Sequence, residues 1–138
     1  WPYLGDTYKV LRKYGINMVT STYPDSWYIV YEQNDIDGMA RAYSSNYVNR
    51  NLKFGVDNIV KLVQDYKLDG IIYHSNRSCK LMDFRQFEVQ RQVEERTGVR
   101  SIVFDGDQTD PRAFSLAQYE TRIQALVEAM EANKRKED

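Results

Sequence analysis

The chain has 138 residues, of which 42% are hydrophobic, and its 19 lysine and arginine residues nearly balance 20 aspartate and glutamate residues. These values are typical of one globular domain and exclude a disordered chain. The net charge of −1 and the short apolar runs argue against nucleic acid, an anionic membrane surface or a transmembrane helix. A single cysteine excludes an intramolecular disulfide, and no secretory signal is visible, so we expect a cytoplasmic protein.

The first half of the chain predicts two helices, one strand and one loop. Apolar residues at helical spacing predict a helix over residues 4–14 that ends at Gly15. The β-branched and apolar residues 16–20 predict a short strand, and the turn-rich residues 20–27 predict a loop. Residues 38–50 have the apolar spacing of a helix.

The second half alternates capped amphipathic segments with short apolar runs. We expect, in chain order, a helix that begins at Asp57 or Asn58, a strand over 69–74, a helix from Asp83 to Thr97 that ends at Gly98, a strand over 100–105 and a helix that begins at Ser115.

This alternation of strands and helices predicts the fold class. Short connections between strand and helix favour parallel strands joined by right-handed crossovers. We therefore expect an α/β domain of three layers, in which a small parallel sheet of about four strands is flanked by helices. Ligands of such sheets bind beyond the carboxyl ends of the strands. Three loops are expected at that edge: residues 20–27, 74–82 and 105–114.

The loop over residues 74–80 contains the only histidine, His74, and the only cysteine, Cys79. We expect Cys79 close to a helix N-terminus and beside Arg77 and Lys80, and each of these influences favours the thiolate. A thiolate is the form that binds a metal or acts as a nucleophile. The alternative interpretation is that Cys79 is a small buried hydrophobic residue and that His74 has a structural hydrogen bond.

Two further patterns suggest chemistry that the surrounding residues do not support. Cys79 and Arg85 have the C-x5-R spacing of cysteine phosphatases, but the residues between them include Asp83 and no glycine. Such a loop cannot wrap a phosphate dianion with its backbone amides. The three aspartates within residues 105–110 suggest a hard metal ion but do not fit a calcium loop, and a turn with Asp side chains bonded to nearby amides is the alternative.

Three segments, taken together, resemble one known family: D-G-I-I-Y-H-S-N-R-S-C-K at 69–80, V-F-D-G-D-Q-T-D-P-R at 103–112 and Q-Y-E-T-R-I-Q-A-L-V-E at 118–128. They resemble the C-terminal domain of 2-hydroxyacyl-CoA dehydratase and benzoyl-CoA reductase subunits, including the D-component of 2-hydroxyglutaryl-CoA dehydratase. In the first 50 residues, Thr20, Tyr23 and Trp27 fit the usual loop of this family.

The resemblance implies a cofactor and a role for the cysteine loop. Each of two related subunits in this family holds an iron–sulfur cluster, usually a 4Fe–4S cluster, through three cysteines, and Cys79 stands where the third is expected. His74, Ser75 and Arg77 become candidates for hydrogen bonds to the cluster sulfur or the substrate. We expect residues 1–138 to be a single C-terminal domain, the Rossmann- or flavodoxin-like half of a longer two-domain subunit, with no cluster bound when isolated.

The resemblance also implies a reaction and partners. The reaction is that of a lyase, the loss of water from an (R)-2-hydroxyacyl-CoA through a ketyl radical to give a 2-enoyl-CoA, as in anaerobic amino-acid fermentation. The expected partners are a homologous second subunit in a heterodimer, an ATP-dependent iron–sulfur activator and the acyl-CoA, and the isolated chain is expected to be inactive. A benzoyl-CoA reductase-type subunit and a non-catalytic α/β binding or interaction module remain alternatives.

Overall fold

The computed structural model of the chain describes residues 5–107 and 110–137. Within these ranges, helices surround one small sheet. The elements are α1 (Thr7–Lys13), α2 (Thr22–Trp27), α3 (Ile36–Ser44), a 3-10 helix (Tyr47–Asn49), α4 (Leu52–Tyr66), β1 (Gly70–Asn76), α5 (Lys80–Thr97), β2 (Arg100–Gly106), a second 3-10 helix (Pro111–Ala113) and α6 (Leu116–Glu137).

The sheet consists of β1 and β2, which pair in parallel from Gly70 opposite Arg100 to Asn76 opposite Gly106. Helix α5 is the crossover between them, as a parallel pair requires. The structure therefore confirms an α/β domain with a small parallel sheet flanked by helices. None of the described helices combines the length and the apolar character needed to cross a bilayer.

The prediction of a strand over residues 16–20 is wrong, since these residues form neither helix nor strand. The described sheet therefore has two strands instead of the expected four or so. The physical reason is a lack of cover. The side chains of Met18 and Val19 are more than half exposed, so little apolar burial offsets the entropy lost when a strand forms.

Two apolar clusters lie on opposite faces of the sheet and produce the three layers. Alternate residues of a strand point to opposite faces, so Tyr73 of β1 joins the cluster under α4 and α5, whereas Phe104 of β2 joins the one under α1 and α6. The first cluster is made of Tyr47, Val56, Ile59, Val60, Val63, Tyr73, Val89 and Val93. The second is made of Val10, Leu11, Phe104, Tyr119 and Ile123.

Two predicted helix starts are wrong because a different side chain caps the helix or because the expected cap has another partner. Helix α4 begins at Leu52, where the Asn51 side chain accepts a hydrogen bond from the Phe54 amide at 2.9 Å. Asp57 instead pairs with lysine and arginine side chains. Helix α5 begins at Lys80 and not at Asp83.

Other predicted boundaries are close to the observed ones. Gly98 ends α5 with a positive φ of 71°, a conformation that glycine adopts without strain. Ser115 directly precedes α6, and its Oγ accepts from the Gln118 amide at 3.5 Å. The loop predicted over 20–27 contains the short helix α2, and the helix predicted over 38–50 divides into α3 and a 3-10 turn.

Ile123 of α6 is completely buried in the second cluster, so Ile123→Ala should lower the free energy of unfolding by about 2–5 kcal/mol. A urea titration followed by circular dichroism measures this change. Leu116→Ala on the same helix is the matched control, since Leu116 is exposed and its loss should cost about 0.5 kcal/mol or less. Equal losses for the two variants would contradict this assignment of the core.

Candidate functional site

A cleft of about 920 Å³ runs along β1, the size of a small-molecule site. Its lining includes most of β1 but only Phe104 of β2, together with residues 14–23 and side chains of α4, α5 and α6. The cleft therefore follows the edge of β1 that does not pair with β2. The cleft is also lined by His74, Cys79 and Gln86. Residues from the strand, from the loop after it and from α5 therefore line the same cleft.

A backbone hydrogen bond of the loop after β1 positions Cys79, and a side-chain hydrogen bond lies on the exposed surface of the same loop. The Cys79 amide donates to the Asn76 carbonyl at 2.8 Å, and the Ser78 hydroxyl donates to the Asn76 side-chain oxygen at 2.8 Å. Cys79 is then the N-cap residue of α5, but its side chain makes no capping hydrogen bond. Cys79 is half-buried and follows the end of β1 at Asn76, and its sulfur is not used to cap the helix.

Ser75 holds the first turn of α5 against the end of β1. Its side chain is buried, and its hydroxyl donates a hydrogen bond to the carboxylate of Asp83. The sequence suggested that Ser75 donates to a cluster sulfur or a substrate. In this structure the hydroxyl donates to the Asp83 carboxylate instead. Because the Asp83 side chain is bonded to Ser75 of β1, it does not act as the N-cap of α5.

Arg77 connects the loop after β1 to the end of β2. Its guanidinium donates to the Asp105 carboxylate at 3.1 Å. Both side chains are largely exposed, so the pair contributes about 1 kcal/mol or less to stability. Its effect is to hold the loop of Cys79 beside the end of β2.

His74 lies against the aromatic ring of Phe104, with ring centroids 4.9 Å apart. Burial lowers the pKa of the imidazole, and a hydrogen bond with the backbone of Gly106 opposes this effect. The Nε2 atom is buried and has no hydrogen-bond partner among the described residues. A neutral imidazole has one nitrogen that accepts a hydrogen bond, so the Nε2 atom of His74 is an acceptor that no described residue uses.

Two polar groups that the sequence did not single out also line the cleft. The Tyr73 hydroxyl and the Gln86 Nε2 are buried without a hydrogen-bond partner among the described residues. Burial raises the pKa of Tyr73, so its hydroxyl keeps its proton. The spacing of Gln86 from Val89 and Val93, which are also buried on α5, is the sequence signal for the inward face of the helix.

The contacts of Arg85 join two parts of the fold, which agrees with the rejection of a phosphatase loop. Its guanidinium donates to the carbonyl oxygens of Arg50 at 2.8 Å and Tyr47 at 3.1 Å. It also lies over the Tyr47 ring, 4.8 Å from the centroid. These contacts attach the 3-10 helix before α4 to α5.

Among the aspartates of residues 105–110, Asp110 has the hydrogen bonds of a turn, whereas Asp105 lies in β2. The Asp110 side chain accepts from the Arg112 amide at 3.0 Å and pairs with the Arg112 guanidinium, which lowers the pKa of Asp110. Asp105 pairs with Arg77. Residues 108 and 109 lie outside the described residues. Within residues 5–107 and 110–137, no three histidine, cysteine or acidic side chains are grouped to hold a metal ion.

Because His74 is the only histidine, its titration can be followed directly by NMR. We expect a midpoint below the ordinary value of about 6.5, since burial disfavours the charged imidazole. The free energy of unfolding should fall as the pH drops through about 6.5, because the unfolded chain takes up this proton more readily. A midpoint at or above the ordinary value would contradict the burial of His74 against Phe104.

Ser75→Ala should lower the free energy of unfolding by about 1–3 kcal/mol, because it removes a buried donor from the Asp83 carboxylate. Denaturant unfolding measures the loss. Ser78→Ala is the matched control: the hydrogen bond from Ser78 to Asn76 is exposed, so a change of about 0.5 kcal/mol or less is expected. If the two serine variants were equally stable, Ser75 would not fasten α5 to β1.

Comparison with known proteins gives the family of the chain. The chain is 53% identical over 139 aligned positions to the (R)-2-hydroxyisocaproyl-CoA dehydratase alpha subunit of Clostridioides difficile, covering 98% of this chain and 33% of that protein. It is 44% identical to the alpha subunit of lactoyl-CoA dehydratase of Anaerotignum propionicum, covering 96% and 32%. A benzoyl-CoA reductase subunit of Thauera aromatica is 31% identical over 62% of this chain and 20% of that protein.

The chain thus spans about a third of the length of the dehydratase subunits it matches. The family model described as 2-hydroxyglutaryl-CoA dehydratase, D-component, matches residues 1–130. This match extends over both strands of the sheet and over the loop of Cys79. The chain belongs to the 2-hydroxyglutaryl-CoA dehydratase D-component family.

Proposed function

We propose that this chain is the C-terminal part of an (R)-2-hydroxyacyl-CoA dehydratase subunit, and that Cys79 is one thiolate ligand of its iron–sulfur cluster. The observation that carries the proposal is the position of Cys79. In a chain of this family, the one cysteine lies at the carboxyl end of a parallel strand, at the start of a helix and in the wall of a cleft. Ligand sites of parallel sheets occur at this edge.

The chemistry of this position fits one cluster ligand. Thiolates are the normal ligands of iron–sulfur clusters. Cys79 is the N-cap residue of α5, and its side chain is not used for capping. Within the described residues, no three histidine, cysteine or acidic side chains are grouped to hold a metal ion, and Cys79 is the one cysteine of the sequence. The other thiolates of the proposed cluster would therefore come from outside this chain.

The residues around Cys79 would support the site without binding the cluster themselves. The Ser75–Asp83 hydrogen bond and the Arg77–Asp105 ion pair fix the loop from both sides. A restrained loop presents its sulfur at a constant position, and such support determines how well a metal ligand functions. When bound, the cluster would supply the one-electron chemistry needed to remove a hydroxyl group from an unreactive position.

The cleft would hold part of the acyl-CoA substrate. Its lining combines aromatic and aliphatic side chains with a few buried polar atoms, as small-molecule sites do. The unpartnered Nε2 of His74 would accept a hydrogen bond from a hydroxyl or an N–H of the ligand. The proton of Tyr73 and the amide of Gln86 would donate to a ligand oxygen. Each such contact would satisfy a buried group that otherwise destabilises the fold.

The complete enzyme would need further components. We propose a second, homologous subunit and an ATP-dependent iron–sulfur activator as the partners of this subunit. The dehydratase activity is favoured over that of a reductase, because the similarity to dehydratase alpha subunits is higher and covers nearly the whole chain.

Replacing Cys79 by alanine in the full-length subunit tests the proposal. Cys79→Ala should remove most of the iron and abolish the dehydration of an (R)-2-hydroxyacyl-CoA, because a cluster ligand is lost. The melting temperature of the iron-free protein should change little, since the side chain is only half-buried. Iron analysis, the dehydration assay and a melting curve are the measurements.

A matched control is Ser78→Ala, which changes the neighbouring residue in the same loop and leaves the thiol in place. This variant should retain its iron. If Cys79→Ala kept the iron and the activity but melted at a lower temperature, Cys79 would be a packing residue and the proposed function would be wrong.

A further inference from the structure

The first half of α5 carries three apolar side chains that nothing in the described structure covers. Leu81 is 57% exposed, Phe84 is 87% exposed and Phe87 is 66% exposed. Residues three positions apart lie along one side of a helix, so these three form one surface, named here the α5 apolar face. The buried residues of α5, Gln86 and Val89 among them, lie on the other side.

An uncovered surface of this kind is unusual in a soluble protein. Single exposed apolar side chains are common, but adjacent large ones mark a surface that contacts another body. Phe84 is the most exposed large hydrophobic side chain in the described part of the chain. Phe84 lies on a helix that is held to β1 by the hydrogen bond between Ser75 and Asp83. Its side chain therefore stays in solvent unless a second body covers it.

The α5 apolar face begins directly beside Cys79. Cys79 is the N-cap residue of α5, and Leu81 is the second residue of the helix. If Cys79 holds a cluster, as the proposed function states, the other ligands must lie within a few bond lengths of the same metal atoms. The body that carries them must therefore approach the chain at the N-terminal end of α5.

We propose that the α5 apolar face packs against the part of the same subunit that supplies the remaining cluster ligands. The relatives are about three times as long as the part that this chain matches, so about two thirds of such a subunit lies outside this chain. That part has the length of one or more domains. Burial of the two phenylalanines would hold it at the fixed distance from Cys79 that a shared cluster requires.

The test is Phe84→Asp in the full-length subunit, purified anaerobically without its partner subunit. The inference predicts the loss of most of the iron although Cys79 is intact, together with a lower melting temperature, because a charge would be placed in the interface. Phe84→Leu keeps an apolar side chain and should retain the iron. Tyr66→Asp is the matched control, since Tyr66 is 52% exposed at the end of α4, which precedes the start of β1, whereas Cys79 follows the end of that strand.

The outcomes separate this inference from the proposed function. Wild-type subunit without iron would contradict the proposed function itself. Iron in the wild type and an equal amount in Phe84→Asp would overturn only the docking of the α5 apolar face. Loss of iron in Tyr66→Asp as well would also overturn it, because the effect would not be specific to α5. If Phe84→Asp kept its iron but no longer bound the second subunit in gel filtration, the partner subunit would cover this face and the inference would be wrong.

Discussion

Seven residues of β1 pair with seven residues of β2, and this parallel register places every candidate site residue. Ser75 lies opposite Asp105 and Asn76 lies opposite Gly106, so the two strands end together. The loop that begins at Arg77 therefore leaves the sheet beside Asp105, and the ion pair between them follows from the register. A shift of the pairing by one residue would turn His74 away from Phe104 and Ser75 towards the other face.

The alternation of side chains along β1 then gives neighbouring residues different tasks. Ser75 points towards α5 and bonds Asp83, whereas His74 stacks on Phe104 on the opposite face. The first contact fixes the position of Cys79, and the burial that accompanies the second lowers the pKa of the imidazole. One short strand thereby positions both Cys79 and the Nε2 acceptor of His74 along the same cleft.

The sequence allowed the parallel pair and the loop of Cys79 to be predicted, because apolar runs and the stop signal at Gly98 are local features. Helix starts were harder to predict, because several side chains compete as caps. Asn51 caps α4, and Asp83 is already bonded to Ser75, a contact between distant elements that no local pattern reveals. The strand predicted over 16–20 fails for the same reason, since its formation depends on a covering layer that the described structure does not provide.

The central claim is that the sulfur of Cys79 is bonded to iron in the assembled subunit. Alkylation of the full-length protein under anaerobic conditions, with the modified peptide identified by mass spectrometry, tests this claim most directly. Cys79 should be protected from iodoacetamide while the iron is bound and should react after a chelator has removed it, because only a free thiolate attacks the reagent. Alkylation of Cys79 in a protein that keeps all its iron would contradict the claim.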